Sequence, residues 1–496
     1  MSIFKDLIVF EMANNHQGSV EHGLEIIRQM GKISKANNLN ACVKLQYRQL
    51  DTFIHPEKRK DESIHYVKRF LSTELKPNEF LQFVKEIQSL GMKAMVTPFD
   101  EESVPIIVKH NVDLIKVASC SADDWPLLEK IAGSNLPVIA STGGLNITQI
   151  DNLVSFFTNR SETFALMHCV SIYPTPNHQL NLGFLKRLIS RYPHIPVGYS
   201  GHEAPENTDV AKLAVALGAQ LFERHVGVPT DKISLNKYSM DPKQVEKWIQ
   251  GIITAKTILG DGQKYVPELE SSSLLKLKRG VFARSSIKKG EKLDSTNCYF
   301  AFPCEEGQLT SGELGMLRTE YVATKSYKKD QALYETSEMD IHYKIRQIIH
   351  DAKGMLAEAG IVLSSDAKME LSHHYGIEHF EKTGCLLVSI VNREYCKKII
   401  VVFSGQEHPE QYHVKKEETF HVLWGDLQLE LNGINHDLRK GNVKTLERGV
   451  RHAFTSLNGC IFEEVSTTHF RGDSFYLDPT ISQQDPMARK TRIEHF

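Results

Sequence analysis

Residues 93–141 read KAMVTPFDEESVPIIVKHNVDLIKVASCSADDWPLLEKIAGSNLPVIAS, in which three short apolar runs, KAMVT (93–97), LIKVA (114–118) and PVIAS (137–141), are separated by helix-length segments. Each run is mostly apolar rather than alternating, as in a strand covered on both faces or enclosed in a barrel. The same unit recurs in both directions: LIVFE (7–11) and ACVKLQY (41–47) precede it, and FALMHCV (164–170), PVGYS (196–200) and AQLFERH (219–225) come after it. Amphipathic segments such as VEHGLEIIRQMGKI and PNEFLQFVKEIQSLG lie between, the second opening with Pro and ending at Gly91 as helices do. Eight strands in about 225 residues predict an α/β fold, a (β/α)8 TIM barrel over residues 1–262. A doubly wound open sheet is the alternative; the count of eight and the lack of a GxGxxG turn after the first run disfavour it.

Beyond Gly262 the rhythm changes. ESSSLLKLKRG is a polar connection, and residues 279–335 hold the short β-like runs VFARSSI, YFAF and EYVATKSY, a small β-rich domain. Residues 336–369 read as a helical linker, because Ile341, Ile345, Ile348, Ile349 and Leu356 recur near helical spacing. Residues 370–478 read as an all-β domain with GCLLVSIVN, KKIIVVF, ETFHVLWG, LQLELNG, NVKTL and IFEEVST as strands. The C-terminal segment DPTISQQDPMARKTRIEHF reads as a polar tail with a mobile end.

The 496 residues, 41% hydrophobic and 24% charged, suffice for two or three domains of roughly 100–200 residues. Fifty-nine Lys+Arg against 61 Asp+Glu leave a formal net charge of -2, so no overall field gathers nucleic acid or anionic lipid. No stretch approaches the ~20 apolar residues of a membrane span, and MSIFKDLIVFEMANN has no secretory pattern. A cytoplasmic protein without nucleic-acid or membrane partners is expected. Eight cysteines without a CxxC pair read as reduced thiols.

In a (β/α)8 barrel the active site forms where strands enter their βα loops. Those ends are polar here: Glu11, Asn14 and His16; Lys44 and Gln46; Thr97 and Asp100; Lys116 and Ser119; Ser141 to Gly144; Ser171 and Tyr173; Ser200 and His202; Glu223 and His225. Lys44 and Lys116, with hydroxyls and a Gly-Gly turn offering N–H groups, predict a cradle for a small anion such as phosphate. His202 and His225 end adjacent strands and can share a divalent ion with Glu11 as a nearby carboxylate; satisfied structural histidines are the alternative. A metal beside an anion cradle suits reactions between a phosphorylated compound and a carbonyl.

EMANNHQGS, VKLQ, TPFD, IKVASC, STGG, HCVSIYPTP, GYSGHE and FERHVG stand in the order and spacing of the sialic acid (N-acetylneuraminate) synthase family, which residues 3–335 resemble. That family places a small antifreeze-like (SAF) domain after its barrel, here 279–335. The resemblance implies a transferase that condenses phosphoenolpyruvate with the open-chain aldehyde of a 2-acylamino hexose, N-acetylmannosamine or a related sugar. The products are a nine-carbon 2-keto acid and phosphate. It implies a divalent ion, manganese or magnesium, on His202 and His225, phosphoenolpyruvate on Lys44, Thr97, Lys116, Ser119 and Ser141, and Glu11 handling protons or orienting the sugar. Tyr173 joins Glu11, Lys44 and Lys116 as a catalytic candidate, and Gln46, Ser171, Ser200 and Asn236 complete the substrate-binding candidates. A homodimer with each SAF domain capping its partner's barrel is implied as well. Three segments depart from the family pattern. Asn236-Lys237 replaces an Asp-His pair, Ser171 replaces an Asn, and Phe302 to Gly307 replaces an RPGTG segment. All three concern the sugar half, so an altered acylamino sugar is expected.

The segment from Gly405 to Glu418, with Gly425, and the later Gly441 through Gly449 to His452, resemble the two cupin motifs. Gln411 stands where the first His is usual, leaving His413, Glu418 and His452 for a second divalent metal, with His408 as a substitute. Cupins include sugar isomerases and epimerases and many non-catalytic modules, so an oligomerisation or sugar-sensing unit is the alternative to a second active site. Two rival readings of the whole chain remain: a Schiff-base aldolase using Lys44 or Lys116, and a sugar-binding regulatory protein with a relic barrel and a cupin sensor. Trp248, on the helical face of QVEKWIQGI, is expected to pack rather than to bind sugar.

Overall fold

The computed structural model describes residues 3–493 apart from 62, 161–162, 315–320, 336–340, 365–366 and 471. The chain forms two compact units, Met1–Lys264 and Tyr265–Phe496. In the first, eight parallel strands, β1 (Leu7–Glu11), β2 (Ala41–Tyr47), β3 (Lys93–Pro98), β4 (Leu114–Val117), β5 (Val138–Ser141), β6 (Phe164–Cys169), β7 (Val197–Gly201) and β8 (Leu221–His225), close into a barrel. The eight apolar runs are these strands, and β8 returns to pair with β1.

Successive strand side chains point to opposite faces. Ile8 and Phe10 accordingly join Ile26, Ile27, Phe83 and Trp248 in the layer between strands and helices. Leu7, Val9, Cys42, Met95, Leu114, Ile139, Met167 and Leu221 fill the barrel interior. Each buried aliphatic side chain stabilises the fold by about 1.5–3 kcal/mol, so the interior is a packed plug. Two residues further along the same faces stand Glu11, Lys44, Thr97, Lys116, Ser141, Ser200 and Glu223, all buried, so the polar site rests on an apolar floor.

The second unit opens with a helix over Glu268–Leu275, where a polar connection was expected, and continues with β9 (Gly280–Ala283), β10 (Lys292–Leu293), β11 (Cys298–Ala301) and β12 (Tyr321–Val322), in the antiparallel pairs β9–β11 and β10–β12 around Val281, Leu293, Leu309 and Tyr327. A helix over Ile341–Glu358 comes next, at the position expected. It is more than a connection: Ile348, Ala352 and Leu356 are buried with Leu371, Phe380, Val388 and Val401 in the core of the large sheet of this unit.

That sheet is a curled half-barrel of eleven strands: β13 (Lys368–His373), β14 (Gly384–Asn392), β15 (Tyr395–Val402), β16 (Glu407–Tyr412), β17 (Glu418–Leu431), β18 (Ile434–Arg439), β19 (Val443–Leu446), β20 (His452–Thr455), β21 (Cys460–Thr467), β22 (Phe475–Tyr476) and β23 (Lys490–Ile493). Two expectations are corrected. ETFHVLWG and LQLELNG are one strand, β17, which bends through a register shift between Val422 and Trp424. Gly425, at φ 74 and with no room for a Cβ beside the Gly459 carbonyl, permits the bend. The stretch after residue 478 is not merely a polar tail, because Lys490–Ile493 adds to the sheet as β23 beside β13. The expected mobile end falls on residues 494–496, outside the described residues. All eight cysteines are free, and no helix among the described residues is long and apolar enough to cross a membrane.

Candidate active site

The two strand lysines are joined by Glu223, a strand-end residue to which the sequence assigned no role. Glu223 receives Lys44 at 2.8 Å and Lys116 at 2.6 Å. Lys44 also meets Glu11 at 2.7 Å, so Glu11, Lys44, Glu223 and Lys116 form an alternating chain of buried charges. Ser200 Oγ donates to Glu223 Oε1 at 3.0 Å, and Gln46 Nε2 donates to Glu11 Oε1 at 2.8 Å. Burial pulls the Lys44 ammonium down to about 8 against the attraction of Glu223, while the two lysines hold the Glu223 carboxyl well below the carboxylate range despite its burial. The signal for Glu223 was present: Leu221, Glu223 and His225 alternate on one face of β8, the face of Lys44 on β2.

Next to this chain lie the hydroxyls. Thr97 Oγ1 is buried without a hydrogen-bond partner. Ser119 Oγ accepts from the Gly143 N–H at 3.1 Å, Ser141 is buried at the end of β5, and Ser171 is exposed on the loop after β6. A Cβ on Gly143 would lie 2.3 Å from Ser171 Oγ and 2.7 Å from Ser119 Oγ, so only glycine lets these hydroxyls converge.

His202 and His225 stand with ring centroids 5.3 Å apart, flanked by Tyr173 at 4.2 Å from His202 and by Tyr238 at 5.0 Å from His225. Tyr238 was not expected. Asn236 Oδ1 accepts from the N–H groups of Tyr238 at 3.1 Å and Ser239 at 2.8 Å, shaping the loop that presents Tyr238. Burial lowers His202 to about 4 and His225 well below its usual value, so both rings are neutral, the form that binds metal. His202 Nδ1 donates to the Val170 carbonyl at 3.0 Å, which leaves Nε2 with its lone pair; His225 Nδ1 is buried without a partner. The donor set suits a divalent ion with two protein ligands. Glu11 does not stand ready as a third, because Lys44 and Gln46 engage its carboxylate. The Tyr173 phenol is pushed upward by burial and remains a donor at neutral pH. Behind the histidines, Glu203 accepts from Arg224 at 2.5 Å and Tyr199 at 2.8 Å, fixing the residues next to His202, Glu223 and His225.

In the half-barrel, His413, Glu418 and His452 present ligand atoms all within 4.8 Å of one another, the one such set of three among the described residues. His413 Nε2 is 3.4 Å and His452 Nε2 3.6 Å from the Glu418 carboxylate, and Gln411 Nε2 is 3.3 Å from His452 Nε2. Backbone carbonyls of Asp473 and Val450 take the Nδ1 hydrogens of His413 and His452, turning both Nε2 atoms inward. His408 does not substitute in this set: it stacks on Phe454 at 4.4 Å and bonds the Pro409 carbonyl. Lys416 and Glu464, also unexpected, pair at 3.0 Å, and Lys416 contacts Glu418.

Comparison with known proteins bears on the first unit. The model of the NeuB family matches residues 32–264. An uncharacterized protein of Methanocaldococcus jannaschii is 33% identical over 298 residues, spanning 60% of this chain and 84% of its own length. The chain belongs to the NeuB family. Other relatives are named as synthases of N-acetylneuraminate 9-phosphate, N,N'-diacetyllegionaminic acid and pseudaminic acid; the N-acetylneuraminate-9-phosphate synthase of Drosophila melanogaster is 28% identical over 315 residues, 58% of this chain and 84% of that one. A solved structure from Chromobacterium violaceum, described as a spore coat polysaccharide biosynthesis protein E, is 45% identical with a TM-score of 0.63, covering 66% of this chain and 98% of that one.

Proposed function

We propose that this NeuB-family synthase condenses phosphoenolpyruvate with the open-chain aldehyde of a 2-acylamino hexose, N-acetylmannosamine or a relative with altered substituents. The supporting observation is the alternating chain of Glu11, Lys44, Glu223 and Lys116 beside two neutral histidines at the strand ends of the barrel. The phosphate and carboxylate of phosphoenolpyruvate draw Lys44 and Lys116 from Glu223, with Thr97, Ser119 and Ser141 donating from the side. A divalent cation, manganese or magnesium, held by His202 and His225 would supply polarisation of the aldehyde oxygen. The enol carbon bonds to the aldehyde carbon, and water adds at the neighbouring oxocarbenium carbon. The carbon–oxygen bond to phosphate then breaks, leaving the nine-carbon 2-keto acid. Glu11, held by Lys44 and Gln46, handles the proton of that water or orients the sugar; Tyr173, Ser171 and Tyr238 line the acceptor side. Residues 279–335 are read as an antifreeze-like domain that caps the barrel of a second copy, and the half-barrel as a cupin whose His413, Glu418 and His452 hold a second divalent ion.

The test is phosphate release from phosphoenolpyruvate across 2-acetamido and 2,4-diacetamido hexoses with manganese or magnesium. One sugar should release stoichiometric phosphate and give a product heavier by the three-carbon acid; silence with every sugar sinks the reading. Borohydride with pyruvate should leave Lys44 and Lys116 unmodified, since Glu223 engages both amines; a reduced adduct on either would favour the imine route.

A further inference from the structure

We propose that the cavity of the C-terminal half-barrel is a second ligand site. It would take a small polyhydroxylated molecule carrying a carboxylate or a phosphate, with Arg489 gripping the anion. The cavity measures about 760 Å3, in the range of small-molecule sites. Its charges are unevenly matched. On one wall Glu418, Lys416, Glu464 and Lys398 neutralise one another in a continuous chain. Elsewhere in the lining Glu370 meets both Lys490 at 2.5 Å and Arg492 at 3.6 Å, and Asp485 also lines the cavity.

Arg489 adds a third cation there. It lines the cavity at 7% exposure, its Nε makes no hydrogen bond, and among the described residues no carboxylate pairs with it. Its guanidinium lies 4.8 Å from the centre of the Tyr476 ring, a cation–π contact. A guanidinium does not lose its proton at neutral pH, so a buried one without a counter-charge calls for an anion from outside; the planar fork matches carboxylate or phosphate in a two-point contact.

Other orphaned atoms define the rest of the ligand. Gln411 Oε1, His413 Nε2 and Glu418 Oε2 are buried without hydrogen-bond partners and line the same cavity. All three are lone-pair atoms, so they take hydroxyl hydrogens or a divalent ion that itself binds ligand oxygens. Phe420, Phe454 and Tyr476 supply apolar walls for a sugar ring. A neutral sugar would leave Arg489 unmatched. The inference stands on the half-barrel alone; if the barrel makes a keto acid, that product has the required chemistry.

The test is calorimetry on the full chain with manganese, holding phosphoenolpyruvate at saturation to fill the barrel. The probes are glucuronate, N-acetylneuraminate, glucose 6-phosphate and glucose. At least one acidic probe should bind once per chain, with glucose tenfold weaker or more. Preference for the acids assigns a carboxylate, and preference for the sugar phosphate assigns a phosphate. Arg489→Ala should weaken the preferred probe at least tenfold while leaving the circular dichroism and barrel phosphate release unchanged. Arg489→Lys, which keeps the charge and loses the fork, should weaken it less and serves if the alanine variant does not fold. Binding of no acidic probe, equal binding of glucose, or unchanged affinity in both variants overturns the proposal. Absence of phosphate release is read separately and counts against the barrel's reaction alone.

Discussion

The barrel mouth and the half-barrel cavity use one electrostatic plan with two outcomes. Each has an alternating chain of two glutamates and two lysines, Glu11–Lys44–Glu223–Lys116 in one and Glu418–Lys416–Glu464–Lys398 in the other, beside two inward histidines. The difference is where the outer carboxylate points. Glu11 is turned to Gln46 and Lys44, away from a three-ligand set with His202 and His225, whereas Glu418 lies between His413 and His452. Under the proposed reading, an outer carboxylate that leaves the histidines would allow a metal site open to substrate and lysines able to change partners. One that joins the histidines makes a closed ligand set and passes anion binding to a separate arginine.

The largest effect expected is on turnover. His225→Ala should lower phosphate release on the order of 10³-fold, the scale of losing a group that stabilises developing charge, with the fold intact by circular dichroism. His452→Ala should leave release within a few-fold, and equal losses would break the division of labour.

Next are the hub glutamates. Glu223→Gln and Glu464→Gln each leave one buried lysine, Lys116 or Lys398, without a carboxylate partner among the described residues and weaken the pairing of a second, and should destabilise their own unit by about 3–5 kcal/mol in denaturant unfolding. Millimolar phosphate should restore Glu223→Gln more than Glu464→Gln, because only the barrel lysines are proposed to exchange a carboxylate for an anion; equal rescue erases the contrast.

Acid should treat the two units alike. His16 in the barrel and His374 in the half-barrel are both lowered to about 4 from 6.5, each by burial first. Between pH 6.5 and 4 the unfolded chain gains a proton at each that the folded chain refuses, so stability complete above pH 6.5 falls as pH drops through that window. Each site contributes roughly 3 kcal/mol. His374 is held from both ring nitrogens, by the Thr383 carbonyl at 2.9 Å and Tyr476 Oη at 3.0 Å. Urea titrations at pH 7 and pH 4.5 should show the loss in both units, and a flat profile in either removes that histidine from the account.

The smallest effect belongs to Gly143. Gly143→Ala should push Ser119 and Ser171 apart and raise the KM for phosphoenolpyruvate about tenfold with little change in stability, a discrimination of the order of a lost hydrogen bond. An unchanged KM would remove Ser119 from the anion cradle.

Much of the barrel was legible because each strand is an apolar run of four to seven residues between helical segments, and burial on both faces writes that pattern directly into composition. The site was legible as far as strand ends go: Lys44, Lys116, His202 and His225 do converge. Glu223 went without a role because strands scored as continuously apolar conceal the two-residue alternation that assigns each polar residue to a face. The half-barrel was less legible. Its β16, EHPEQY, is polar, its β22 has only two residues, and its edge strand β23 is KTRI, which reads as a charged tail until Lys490 and Arg492 meet Glu370 across the sheet.

The sequence by itself determined the eight-stranded barrel, the family and the chemical character of the strand ends, since these depend on local periodicity and on ordered motifs. Only the tertiary structure decided which charges meet. Glu223 lies 179 residues from Lys44 and 107 from Lys116, and Glu464 lies 66 from Lys398. Coulomb attraction depends on distance and burial in the folded chain, and neither is written in the order of the residues.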